Sequence, residues 1–259
     1  MLSNKRSAAR AAVMARAPSP ALKASALIVL GSIFAAACVS YLVAATQLSL
    51  GSKAVVAALA LLLLIFALVI KGLHLHRFER FGLANAITAI RAALVCMVAA
   101  AVCFAGLPQS AESTLWAFMF IVLAAFALDG VDGYLARRYG QESELGARFD
   151  MEVDALLILC LSAAACLLGK AGSWVLLIGL MRYGFVLMQV VLPHLNAPLP
   201  PSFRRKLVCV IQVGVLCLVL VPGIAPPVSS WFAAMALLLL GYSFLVDGLY
   251  LLKTANARR

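Results

Sequence analysis

Seven of the ten acidic residues fall within 26 positions: Asp129, Asp132, Glu142, Glu144, Asp150, Glu152 and Asp154. The segment reads LDGVDGYLARRYGQESELGARFDMEVDALL from Leu128 to Leu157. On a helix, Asp129, Asp132, Gly133 and Ala136 recur at i, i+3, i+4 and i+7 and share one face. After a polar turn at Tyr139 to Glu144, Gly146, Asp150 and Asp154 recur every four residues on one face of the next helix. Two such helices facing each other present four carboxylates and two glycines to a common space. Four carboxylates beside an apolar medium do not all stay ionised without counter-charge, and oxygen-only ligands suit hard divalent cations. A pair of metal ions is the simplest neutraliser, and Mg2+ is commonly bound jointly by carboxylates and substrate phosphates. Gly133, Gly146 and Ala136 leave room for a large group to approach the backbone. Arg137 offers phosphate a planar fork of donors. Metal-assisted phosphoryl chemistry is the reading these residue types support.

The elements that carry these groups follow from composition. Of 259 residues, 65% are hydrophobic and 12% charged, which excludes an ordinary soluble fold. The chain reads as an all-α, polytopic helical membrane protein of about eight transmembrane helices. The first two runs, Ala26 to Thr46 and Ala54 to Ile70, are long enough to cross a hydrocarbon core of about 30 Å. Six further runs follow: Ala92 to Leu107, Ser113 to Leu128, Ala155 to Gly169, Ala171 to Pro193 interrupted by Arg182, Leu207 to Pro222, and Trp231 to Val246. Most fall short of the ~20 residues that a span needs. The deficit is met if each helix continues into polar sequence on one side, which is where the acids and arginines lie. The functional groups are therefore expected on the helices themselves, at one membrane face.

Four segments result: a basic arm over residues 1–25, a transmembrane hairpin over 26–72, an interfacial amphipathic helix over 73–84 and a six-helix core over 85–259. The interfacial helix is read from LHLHRFERFGL, where Leu75, Phe78 and Phe81 recur at helical spacing. His74 and His76 are two apart and face different sides of such a helix, so headgroup contact is favoured over a metal site. A net charge of +11 reports orientation and attraction to anionic lipid before it reports nucleic acid. With both termini inside, only Lys53 and Lys170 of the 21 basic residues fall outside, so the inner face is cytoplasmic. A cleaved signal peptide competes for the first run, with Ala35-Ala36-Ala37-Cys38 faintly like a lipoprotein site, but the run is too long and more spans follow. The seven cysteines sit in apolar stretches without metal-ligand spacing and read as small core hydrophobes. Trp174, Trp231, Tyr242 and Tyr250 read as interface belts or helix packing.

Asp129, Asp132, Gly133, Ala136, Arg137, Gly146, Asp150 and Asp154 fit D-x2-D-G-x2-A-R-x8-G-x3-D-x3-D at all eight positions with both gaps intact. This pattern resembles the CDP-alcohol phosphotransferase family. The likeness runs from about Phe81 to the C-terminus and leaves the hairpin outside it. Asn85, Thr88 and Arg91, in NAITAIR, resemble the family's stretch at the start of its first helix. The resemblance implies that Asp129, Asp132 and Asp150 hold two divalent ions, Mg2+ or Mn2+. Asp154 shares in coordination or deprotonates the acceptor hydroxyl. Gly133, Ala136, Arg137 and Gly146 line the cytidine diphosphate pocket, helped by Thr88 and Asn85. The implied reaction moves a phosphatidyl group from CDP-diacylglycerol to an alcohol with release of CMP, in phospholipid synthesis. The implied enzyme is a homodimer in the cytoplasmic membrane with its site at the cytoplasmic face.

The acceptor is less defined. Arg91, Arg182, Arg204, Arg205 and Lys206 are the basic candidates for an anionic acceptor such as glycerol 3-phosphate. Anchoring of a span competes as the role of residues 204–206. An intramembrane Arg182 requires a partner. Several members with phosphorylated acceptors carry Gly-Lys, then Lys-Thr and a later Gln, whereas SFRRKLVCVIQ keeps a Lys and Gln212 with Cys209 near the Thr position. Serine, glycerol phosphate, inositol or its phosphate, choline, phosphatidylglycerol and other polyols stay open. A solvated turn accounts for Glu142, Glu144 and Glu152 but not for two aspartate pairs at helical spacing. A prenyltransferase needs two distant Asp motifs, and the remote acid at comparable depth is the lone Asp247. A transporter is expected to show two related halves. A non-catalytic scaffold is disfavoured by the retention of every motif position.

Overall fold

The computed structural model describes residues 18–47, 51–104, 106, 112–140, 142–191 and 202–256. Their regular structure is helical throughout, in eight α-helices: α1 Pro20–Gln47, α2 Ser52–Lys71, α3 Leu83–Phe104, α4 Glu112–Arg138, α5 Glu144–Leu167, α6 Leu176–Val191, α7 Phe203–Leu220 and α8 Val228–Asn256. Five stretches, Pro20–Thr46, Ser52–Leu75, Leu83–Phe104, Glu112–Leu135 and Val228–Leu251, are long and apolar enough to cross a membrane. The chain is an integral membrane protein of the polytopic helical class expected from its composition. The other three helices either carry the charged residues, as α5 and α7 do, or are short, as α6 is. Five of the six later helices run past their apolar cores into polar sequence. α3 starts at Leu83 and α5 at Glu144, α7 at Phe203, while α4 continues to Arg138 and α8 to Asn256. The basic arm before residue 18, the Pro-rich loop over 192–201 and Arg258-Arg259 lie outside the described residues.

The chain divides into two compact units, one of Met1–Ala105 with Phe120–Val153, the other of Gly106–Met119 with Asp154–Arg259. In the first, the α1–α2 hairpin packs on α3. Ala54, Val55, Ala58, Leu62, Phe66 and Val69 form the buried face of α2 at helical spacing. Ala89, Ala92, Ala93 and Cys96 on α3 are equally buried, and such small residues let helix backbones approach closely. The Tyr41 hydroxyl of α1 donates to the carbonyl of Ala93 in α3, and the Phe81 N–H donates to Ser25 Oγ at 3.2 Å. Leu27, Ile28, Val39 and Leu42 on α1 stay exposed, as lipid-facing side chains do.

The expected interfacial helix over 73–84 does not form. One 3-10 turn, Gly72–Leu75, extends α2, and residues 76–82 are irregular until α3 begins. Tertiary burial overrides the local period: Leu73, Leu75 and Phe81 are packed inside, His76 turns extended, and Gly82 redirects the chain at φ 85°, a conformation that favours glycine. His76 then ties this segment to the start of α5. Its Nε2 lies 2.9 Å from the Arg80 carbonyl, which only accepts, so Nε2–H donates there and Nδ1 accepts from the Ser143 hydroxyl at 3.0 Å. Ser143 Oγ accepts the Gly146 N–H at 3.0 Å and so caps α5.

In the second unit α7 pairs with α8, and Gln212 Nε2 donates to the Ala236 carbonyl at 2.7 Å. The Lys170 ammonium donates to the carbonyls of Val221 at 3.0 Å and Ile224 at 2.6 Å, closing the end of α7. Gly179 on α6 meets α5 so closely that a Cβ there would stand 2.5 Å from Leu159 Cα. Gly179→Val is expected to cost about 1–3 kcal/mol, read as a lower thermal midpoint in detergent, because backbone has to give way. Gly184→Ala, where a Cβ meets nothing within 4 Å inside α6, should not lower the midpoint and should raise it slightly, since alanine favours a helix over glycine. Burial holds the His76 imidazole below its ordinary 6.5, against a smaller opposing effect of the Arg80 carbonyl. The folded protein therefore resists a proton that the unfolded chain accepts. The His76 contribution to stability is full above pH 6.5 and declines as pH falls through and below that value. Thermal midpoints measured from about pH 8 down to about pH 5 should fall more steeply in wild type than in His76→Gln.

Candidate metal and phosphate site

Helices α3, α4 and α5 bring three of the four motif aspartates together within the first unit. α3 supplies Asn85, Thr88 and Arg91, all buried. α4 supplies Asp129 and Asp132, and α5 supplies Gly146 and Asp150. Oxygens of Asp129, Asp132 and Asp150, one from each, lie within 4.8 Å of one another. Arg91 Nη1 stands at their point of convergence, 3.0 Å from Asp129 Oδ1, 2.9 Å from Asp132 Oδ2 and 2.7 Å from Asp150 Oδ1. The side chains grade from inside to outside: Arg91 is fully buried and Asp132 is 5% exposed, while Asp129 and Asp150 are 27% and 38% exposed. The cluster is thus reached from the Asp129 and Asp150 side.

Thr88 Oγ1 lies 2.9 Å from Asp132 Oδ2 and 3.1 Å from the Ala84 carbonyl, and its single hydrogen serves one of them at a time. Asn85 Nδ2 donates to the Phe81 carbonyl at 2.6 Å. A Cβ at Gly146 would stand 2.7 Å from Asn85 Oδ1, so a larger residue there would force the Asn85 side chain to shift. The tight α3–α5 approach at Asn85 and Gly146 is what aims Asp150 at Asp132. Gly133 plays a different part: a Cβ there would lie 3.3 Å from Arg137 Nη1, so the exposed guanidinium folds over the bare backbone. Ala136 is carried on α4 between them.

The donor set fits a divalent cation. Three carboxylates against one guanidinium leave an excess of two negative charges, and every donor is a hard oxygen. Glu144, by contrast, pairs with Arg148 at 2.8 Å in a one-turn contact on the exposed face of α5. Asp154 follows Asp150 by one turn and belongs to the second unit, where Cys209 Sγ donates to its Oδ2 at 3.6 Å.

One expectation changes. Arg91 was expected at an anionic acceptor, yet it is sealed among the carboxylates, because three acids in a largely apolar unit need an internal counter-charge. Asp247, the sole acid after Asp154, accepts from Arg204 Nη2 at 2.6 Å and lies 3.8 Å from Arg205 Nη1. Arg204 Nη1 also donates to the Ser243 carbonyl at 2.7 Å. The signal for that pair was present: Asp247 is the sole acid after Asp154, and residues 204–206 are a basic run. Lys206 is exposed at the start of α7, and Arg182 is half-buried on α6.

Comparison with known proteins bears on the same residues. The sequence model of the family described as CDP-alcohol phosphatidyltransferase matches residues 81–244, which contain the whole motif and all three helices of the cluster. A curated protein of Mycobacterium tuberculosis (strain CDC 1551 / Oshkosh), named "Probable phosphatidylglycerophosphate synthase", is 30% identical over 147 residues. The match covers 56% of this chain and 68% of that protein. A protein of the same name from another strain of that organism matches to the same extent. No solved structure matches the chain. The motif, the helices that hold it and the matched span coincide, and this chain belongs to the CDP-alcohol phosphatidyltransferase family.

Proposed function

We propose that the protein transfers the phosphatidyl group of CDP-diacylglycerol to a phosphorylated polyol, glycerol 3-phosphate being the best candidate, with release of CMP. The observation that carries the reading is the convergence of Asp129, Asp132 and Asp150 within the span that matches the family. These three residues would hold the divalent metal, Mg2+ or Mn2+. A divalent cation bound there neutralises charge on the diphosphate and on the departing CMP.

The remaining roles fall to the chain itself. Arg137, on the exposed face beside Gly133, grips a phosphate of the donor, and Gly133 and Ala136 let the nucleotide approach the backbone, while Gly146 lets α5 close on Asn85. Thr88 and Asn85 help line the pocket from α3, Thr88 bonded to Asp132 and Asn85 packed against Gly146. Asp154 takes the proton from the acceptor hydroxyl. The acceptor oxygen forms its bond to the phosphorus that bears the diacylglycerol, the bond from that phosphorus to the CMP oxygen breaks, and CMP leaves with the electron pair. Arg204, Arg205 and Lys206, with Arg182, provide positive charge for the acceptor phosphate, and Asp247 steadies two of them. The curated relatives' name supports a phosphorylated polyol over serine or choline. The excess of basic residues on the side that carries the motif supports a cytoplasmic site. The homodimer implied by the family is part of the proposal.

CMP release from the purified full chain, with CDP-diacylglycerol, Mg2+ and one acceptor at a time, tests the substrate assignment. Release that depends on glycerol 3-phosphate and not on serine, inositol or choline is expected; release with one of those instead would overturn it. Asp132→Asn and Asp150→Asn should each lower turnover about a hundredfold or more while the protein remains folded. Glu144→Gln, which removes only an exposed pair with Arg148, should retain near-normal turnover.

A further inference from the structure

Arg91 lies outside the eight-position motif, yet a single atom of it, Nη1, meets all three converging carboxylates at 2.7–3.0 Å. Those are the oxygens a divalent cation would draw on. The guanidinium cannot relieve a conflict by losing its proton, because arginine stays charged at any working pH. Nor can it turn into bulk solvent without moving, since the side chain is fully buried. A cation entering the cluster therefore has to take oxygens from Arg91 or stand next to a like charge. Resting on the metal role proposed above, we propose that Arg91 is a positioning residue that holds the metal-free carboxylates together and competes with the divalent cation for them. The chain then carries its own placeholder, which keeps three buried or half-buried acids in register on α4 and α5 and weakens metal binding in the absence of substrate.

A purely architectural Arg91 makes the opposite demand. Without it the carboxylates would splay apart, and metal affinity would fall. The sign of the change in metal affinity on removing the charge separates the two. Mn2+ binding to the nucleotide-free full chain in detergent, followed by the electron paramagnetic resonance of free Mn2+, reads it directly. Arg91→Met should bind Mn2+ at least about tenfold more tightly than wild type. Its metal-free thermal midpoint should fall below that of wild type and recover on adding Mn2+. Equal or weaker binding by folded Arg91→Met, with wild type binding normally, overturns the competition and leaves the metal role intact. No Mn2+ binding by either protein overturns both. If Arg91→Met is not recovered folded, Arg91→Met/Asp129→Asn keeps the same excess charge as wild type in the cluster. It should bind Mn2+ at least about tenfold more tightly than Asp129→Asn alone, and equal or weaker binding overturns the proposal.

Discussion

Three carboxylates brought within 4.8 Å of one another, one of them almost fully buried, set the central constraint on the first unit. Like charges so close in a poorly solvated setting repel strongly, and each buried ion loses hydration. The chain meets this with one fully buried guanidinium from α3 and one threonine hydroxyl. Much of the unit can be understood as holding that balance. The α1–α2 hairpin backs α3 through Tyr41 and Ser25, so the helix that delivers Arg91 and Thr88 is braced from behind. Ser143 and His76 fix the start of α5, and Gly146 lets α5 close on Asn85, which brings Asp150 to the cluster. The hairpin lies outside the family-matched span yet is packed into the unit that holds the cluster.

Charge is distributed with the same economy in the second unit. Arg204 is anchored by Asp247 and Ser243 rather than left as an isolated cation on a membrane helix. Lys170 is satisfied by backbone carbonyls at the end of α7. A basic pair held by one acid retains net positive charge, which suits the phosphate of the proposed acceptor.

The helices and the motif faces were legible in the sequence because both are local. Apolar runs mark the spans, and spacings of three and four residues place Asp129 with Asp132, and Asp150 with Asp154. The short apolar runs also foretold that helices would extend into polar sequence, as α3, α4, α5, α7 and α8 do. What depends on distant segments was not legible. Nothing in NAITAIR says that Arg91 faces acids 38 to 59 residues away on two other helices. The amphipathic spacing of residues 73–84 favoured a helix, whereas burial of Leu73 and Phe81 and the His76–Ser143 bond decided otherwise. Asp247 and Arg204 are 43 residues apart, so their pairing is a tertiary fact that charge counting only hints at.

The proposed chemistry stands on the carboxylate cluster being a divalent-cation site. Anomalous X-ray scattering at the manganese edge, from crystals of the full chain grown with Mn2+ and CDP, addresses that claim most directly. A manganese peak whose nearest protein oxygens come from Asp129, Asp132 and Asp150 is the predicted result. CDP bound with manganese at some other group of residues, or with none at these three aspartates, would contradict it.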